Sequence, residues 1–145
     1  IASRIEHLNI AILPMLNKGK FVLCDRFIDS SIAYQGIAHN LGVSKVQLIH
    51  EHVGIIIRPD LTYILDIPVT EGLNRSKSRK NYENRYEAMD KSFHEKIRKT
   101  FIEIAENKPS NYIIIDARKS TEEISEIIWN DLNYRFKFNT NEQQK

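Results

Sequence analysis

Asp25-Arg26 is the step in this sequence with the clearest chemical use. A carboxylate can organise hydrated Mg²⁺, and a planar guanidinium beside it can clamp a phosphate through two parallel N–H bonds. The pair closes the apolar run Phe21-Val22-Leu23-Cys24, which reads as a strand covered on both faces of a parallel sheet. Ligands in such sheets gather beyond the carboxyl ends of the strands, so the location suits a nucleotide. Taken alone, an Asp-Arg step at a strand end could equally be a structural ion pair.

Other catalytic constellations fall away. Five histidines include His50-Glu51-His52, but two histidines two apart on a helix point to different faces and do not form a zincin pair. A structural role, at the surface or partly buried, is their expected reading. No Gly-x-Ser-x-Gly elbow occurs, and Cys24, the single cysteine, can make neither an internal disulfide nor a thiol redox pair. In its apolar run it reads as an inert buried thiol, which suits a reducing, cytoplasmic setting.

The elements that must position these residues follow from hydrophobic spacing. Ile1, Ile5, Leu8, Ile12 and Leu16 predict an amphipathic helix ending near Asn17-Lys18-Gly19, with a kink at Pro14. After the Phe21–Cys24 strand, helices are expected around Ser31 to Ala38 and from Ser44, as cap, to about Ile57. A second covered strand runs from Leu61 to Asp66, followed by a helix from about Val69 to Arg79. Residues 76–86 are nearly all polar and read as a mobile segment. Met89, Phe93, Ile97, Phe101 and Ile104 mark a long helix, Tyr112 to Asp116 a third strand, and Ser120 with Glu123 the capping box of a last helix. Alternating strands and helices predict an α/β fold: one domain over residues 1–138 with a parallel sheet and flanking helices, then a polar tail over 139–145.

With 21 basic and 19 acidic side chains the formal charge is only +2, so bulk electrostatics give no reason to expect nucleic-acid or membrane partners. Phosphate binding must come from particular residues. No stretch approaches the length of a membrane span, and no signal-peptide pattern opens the chain.

The run Asp25-Arg26-Phe27-x-x-Ser30-Ser31-x-Ala33-Tyr34-Gln35-Gly36 resembles the signature of the thymidylate kinase family. Ser3-Arg4-x-Glu6-His7 with Leu13-Pro14, Arg58-Pro59-Asp60-Leu61 with Leu65-Asp66, Asn84-Arg85-Tyr86-Glu87 and Ile115-Asp116-Ala117 are similar to further family segments, in order. The resemblance implies a P-loop kinase fold that phosphorylates dTMP to dTDP with ATP and Mg²⁺, on the way to dTTP, as a homodimer. It implies that Arg26 holds the dTMP phosphate, that Arg4 reaches a thymine carbonyl, and that Tyr34 lies where a ribose 2′-hydroxyl would fit. Ser31 and Gln35 would help to read the base and Ser30 would be a further substrate contact, from a helix started by Ser30 or Ser31. Asp25 would organise Mg²⁺, directly or through water. Arg79 and Arg85 would be catalytic lid arginines, Arg75 a contact to the phosphoryl donor, and Tyr86 and Glu87 neighbours of the substrate. An arginine brought in by a closing segment contributes a factor of roughly 10³ to 10⁵ in related chemistry.

The family's ATP cradle, Gly-x-x-x-x-Gly-Lys-Ser/Thr, has no counterpart here. Gly19 precedes Lys20, but Pro14 stands at the earlier glycine position and Phe21 at the hydroxyl position. The chain also opens inside a helical pattern, so it reads as lacking the family's first, central strand. In the family that strand lies between those matching Phe21–Cys24 and Leu61–Asp66, and both are expected to show unpaired edges without it. Two alternatives stand beside the kinase: a non-catalytic nucleotide-binding remnant and a deoxynucleoside kinase. Ala33-Tyr34-Gln35 and Arg85-Tyr86-Glu87 count against the latter.

Overall fold

The computed structural model describes residues 2–55, 57–77 and 89–138. Helix α1, residues 2–17, is α-helical over Ala2–His7, widens to a π-helix over Leu8–Ile12 and returns to α over Leu13–Asn17. Pro14 explains the widening. It offers no N–H to the carbonyl four residues back and its ring crowds that carbonyl, so the expected kink is absorbed as wider turns.

Helix α2, residues 28–38, joins Ile28–Ser31 to a π-helical Ile32–Ala38. Its cap is Phe27, with no side-chain cap bond, so neither Ser30 nor Ser31 starts it as expected. Ser31 is instead buried one turn inside. The expected Ser44 cap is corrected too: α3, Val43–His52, is preceded by Gly42 at φ 93°, a left-handed conformation open to glycine.

Strands β1, Thr62–Asp66, and β2, Tyr112–Asp116, pair in parallel, Thr62 opposite Tyr112 and Asp66 opposite Asp116. Between them lie α4, Val69–Lys77, and α5, Lys91–Glu106, whose Asp90 side chain caps the Phe93 amide. The last helix, α6, Thr121–Phe136, carries the full Ser120–Glu123 capping box that the sequence predicts. The Tyr63 hydroxyl donates to Asp131 of α6, whereas Arg98 of α5 donates to Asp66. Tyr63 and Asp66 have opposite parity along β1, so the two helices lie against opposite faces of the sheet.

Phe21–Cys24 is not a strand, contrary to the expectation. A strand exists only through a hydrogen-bonded neighbour, and this run joins no ladder among the described residues. The Thr62 amide bonds the Asn111 carbonyl and the Ala117 amide bonds that of Asp66. By alternation, Tyr63 and Leu65 direct their backbone groups to the opposite edge of β1, which is unpaired among the described residues. Double-sided coverage is also incomplete: Leu23 is 98% exposed and Leu65 53%. Phe21 is held from the side, its ring edge-on to Phe136 and Phe138 at 5.3 and 4.7 Å.

The core that positions the Asp25-Arg26 turn lies among the first three helices. Leu8 and Ile12 of α1, Ile28 and Ile32 of α2, Val46 of α3 and Ile55 form one buried cluster. A polar tie links the sheet to this unit, as the Tyr112 hydroxyl donates to Asp29 at 2.9 Å. Burial, reinforced by the Asp29 carboxylate, pushes the Tyr112 phenol up to about 12. Below its ordinary value near 10 both folded and unfolded chains keep the proton; above it the unfolded chain loses the proton first. Stability is therefore expected to fall as pH climbs from about 10 to about 12, and Tyr112→Phe to flatten that part of the curve. Urea midpoints across this window check it, and equal slopes in both proteins would count against the tie.

Candidate functional site

The chain reverses sharply after Cys24. Arg26 has φ 60°, a left-handed conformation that costs a branched or long side chain of order 1 kcal/mol and that recurs at ligand sites. The turn leaves Asp25 and Arg26 exposed, and sets the Arg26 guanidinium over the Tyr34 ring, 5.5 Å from its centre. Tyr34 is half-buried and meets Phe93 of α5 edge-on at 6.2 Å. The turn, α2 and α5 thus hold Arg26 and Tyr34 as one unit.

On one side of Arg26 opens a hollow of about 490 Å³, lined by Arg4, Phe27, Ser31, Gln35, Leu41 and His50 among others. Arg4 reaches across from α1 and donates through Nη1 to Ser31 Oγ at 2.7 Å, and the same nitrogen lies 2.9 Å from His50 Nε2. Its guanidinium also sits over the Phe27 ring at 5.6 Å. Burial lowers the Arg4 pKa from its ordinary value, opposed by Cys24 and Asp29. Cys24, expected as a buried thiol, is only half-buried, and what burial it has pushes the thiol up.

On the other side of Arg26 a second hollow, about 460 Å³, runs over the end of β1 between α4 and α5. Its lining includes Tyr34, Asp66, Ile97, Arg98 and Phe101. Arg98 grips Asp66 through Nε and Nη2 at 2.7 and 2.8 Å. Those bonds lower the Asp66 pKa against the opposing effect of burial, so this carboxylate is ionised at neutral pH. Arg26 lines both hollows and marks their junction.

Among the described residues no three His, Cys, Asp or Glu side chains gather into a metal cage. Asp25, exposed and without a hydrogen bond among the described residues, fits a different style of binding. Mg²⁺ keeps several waters and takes one or two carboxylates beside substrate phosphates.

Of the residues singled out in the sequence, Arg4, Arg26, Ser31 and Gln35 come together in the first hollow, and Arg26 and Tyr34 in the second. Asp25 stands at the turn before them, and Ser30 is half-buried in α2, lining neither hollow. Arg75 bonds Glu71 and the Ala117 and Arg118 carbonyls, which ties α4 to the loop after β2. Arg79, Arg85, Tyr86 and Glu87 lie outside the described residues. His50 and Arg98 are the residues that sequence reasoning missed. Residue 98 follows the buried Ile97 by one position, but nothing local ties it to Asp66, 32 residues away.

The thymidylate kinase family model matches residues 1–128. A thymidylate kinase of Chlamydia felis is 45% identical over 124 residues, covering 84% of this chain and 59% of that protein. That of Wolbachia pipientis wMel is 47% identical over 115 residues, 79% of this chain and 56% of the relative. That of Bradyrhizobium sp. is 39% identical over 136 residues, covering 92% and 60%. The chain thus spans about 60% of the length of the curated relatives it matches.

Proposed function

We propose a function from one premise: the chain belongs to the thymidylate kinase family. In the intact protein it binds dTMP with the base in the Arg4–Ser31 hollow and the phosphate at Arg26. ATP donates the phosphoryl group, giving dTDP and ADP. The observation that carries this reading is the single hollow bounded by two arginines of different character. Arg4 is half-buried and already bonded to Ser31 and His50, which suits a fixed base reader. Arg26 is exposed beside Tyr34 at the mouth shared with the second hollow, which suits a phosphate clamp.

Asp25 is the residue that would hold Mg²⁺, through water or directly. When bound, the ion neutralises charge on the transferring phosphoryl group. Arg26 orients the accepting phosphate, Tyr34 fills space beside the sugar, and Ser31 and Gln35 offer hydrogen bonds to the base edge. Lid contributions from Arg79 and Arg85, donor contact by Arg75 and substrate contact by Tyr86 and Glu87 belong to the same proposal. So do a homodimeric state, a place in dTTP synthesis and a cytoplasmic setting. Among the described residues no helix is long and apolar enough to cross a membrane.

Calorimetric titration of the intact protein with dTMP and with thymidine tests the phosphate clamp. Thymidine, lacking the group that Arg26 holds, is expected to bind roughly 10-fold or more weakly, since a charge-assisted bidentate contact is lost. Equal affinities would contradict the assignment.

A further inference from the structure

His50 is 0% exposed, and both its ring nitrogens are engaged. Nδ1 lies 2.6 Å from the Val46 carbonyl oxygen, which can only accept, so Nδ1 carries the proton. Nε2 lies 2.9 Å from Arg4 Nη1, which can only donate, so Nε2 is the acceptor. The two partners thus select one neutral tautomer. Val46 is itself buried, one turn back on α3, so its carbonyl holds the ring from the same helix.

The consequence falls on Arg4. Its Nη1 has two protons, and these match Ser31 Oγ and His50 Nε2. Nε and Nη2 have no hydrogen-bond partner among the described residues and remain available to a ligand in the hollow that Arg4 lines. A long arginine side chain loses its rotamer freedom when it meets a ligand, unless that freedom has already been removed. Ser31, Phe27 and His50 remove it in advance, and His50 is the partner contributed from a third helix.

We propose that His50 is a positioning residue for Arg4, and that its unprotonated Nε2 sets the affinity of the hollow for a nucleobase carbonyl. The proposal rests on the reading that this hollow takes the base of dTMP. Among the described residues His50 makes no hydrogen bond to Arg26 or Asp25, so it acts on binding and not on transfer.

The test is steady-state kinetics of the intact protein with dTMP, for wild type, His50→Leu, His50→Gln and Arg4→Ala. His50→Leu is expected to raise KM for dTMP roughly 10-fold with kcat within about 3-fold, the size of one lost hydrogen bond to a charged group. His50→Gln, whose amide oxygen can stand in for Nε2, is expected to recover most of that loss. Adding His50→Leu to Arg4→Ala is expected to raise KM no further. If His50→Leu does not fold, long-range ¹⁵N spectra of the wild type still decide the matter. Nδ1 must appear protonated and Nε2 not, and the reverse tautomer overturns the proposal. An unchanged KM in folded His50→Leu overturns it alone, whereas a wild type with no affinity for dTMP overturns the base-pocket reading together with it.

Discussion

Arg26→Gly is expected to abolish most dTMP turnover in the intact protein, lowering kcat/KM by roughly 10²- to 10³-fold, while leaving the fold as stable as before or slightly more so. On the proposed reading, the loss follows from removing the charged donor that holds the dTMP phosphate, and groups of this kind contribute about 3–4 kcal/mol to a transition state. The stability gain follows from the backbone. Arg26 has φ 60°, which glycine adopts without the Cβ clash, and its side chain is exposed, so little packing is lost. Arg26→Ala separates the two effects, since it removes the guanidinium but keeps the strained conformation. Kinetics and urea denaturation on all three proteins check the pattern. A glycine variant that loses stability by more than about 1 kcal/mol would show that the turn is held by the side chain instead.

Ile28→Ala is expected to destabilise the protein by about 2–5 kcal/mol, the range for truncating a well-packed aliphatic side chain. Ile28 is 2% exposed and sits where α1, α2 and α3 meet, against Leu8, Ile12, Ile32, Val46 and Ile55. A cavity there loosens the helix that follows Arg26 directly, so dTMP affinity is expected to fall together with stability. Ile28→Val, which removes one methylene, is expected to cost only about 0.5–1.5 kcal/mol. Chemical denaturation midpoints of the two variants measure the ratio. A small, equal effect for both would mean that the site can collapse around the gap.

What was legible in the sequence depended on how local its cause is. The Ser120–Glu123 capping box and the Tyr112–Asp116 strand stand as predicted, because a cap needs four residues and the strand's apolar run finds β1 beside it. Pro14 announced a kink through its own chemistry, although not that the helix would widen to absorb it. Ser44 and the serine pair at 30 and 31 carried cap-like residue types, but tertiary packing drew each inside its helix and left Gly42 and Phe27 at the ends. Phe21–Cys24 misled because apolar composition specifies a preference for burial, whereas a ladder needs a neighbour that local sequence does not reveal.

The candidate site divides in the same way. Arg4, Arg26, Ser31, Tyr34 and Gln35 stand in motifs along the chain, and the fold brings them to two hollows that meet at Arg26. His50 looked like half of an unproductive histidine pair. Its role depends on an arginine 46 residues away, and its only local signal is the carbonyl of Val46 one helical turn back. The Asp66–Arg98 clamp was hidden for the same reason.

The most direct measurement is ATP-dependent phosphorylation by the intact protein, with dTMP and thymidine offered separately as acceptors and the products resolved by chromatography. The predicted result is dTDP from dTMP, nothing from thymidine, and loss of the dTDP signal in Arg26→Gly. Phosphorylation of thymidine but not dTMP, or unchanged dTDP formation by Arg26→Gly, would contradict the assignment of this hollow to dTMP and of Arg26 to its phosphate.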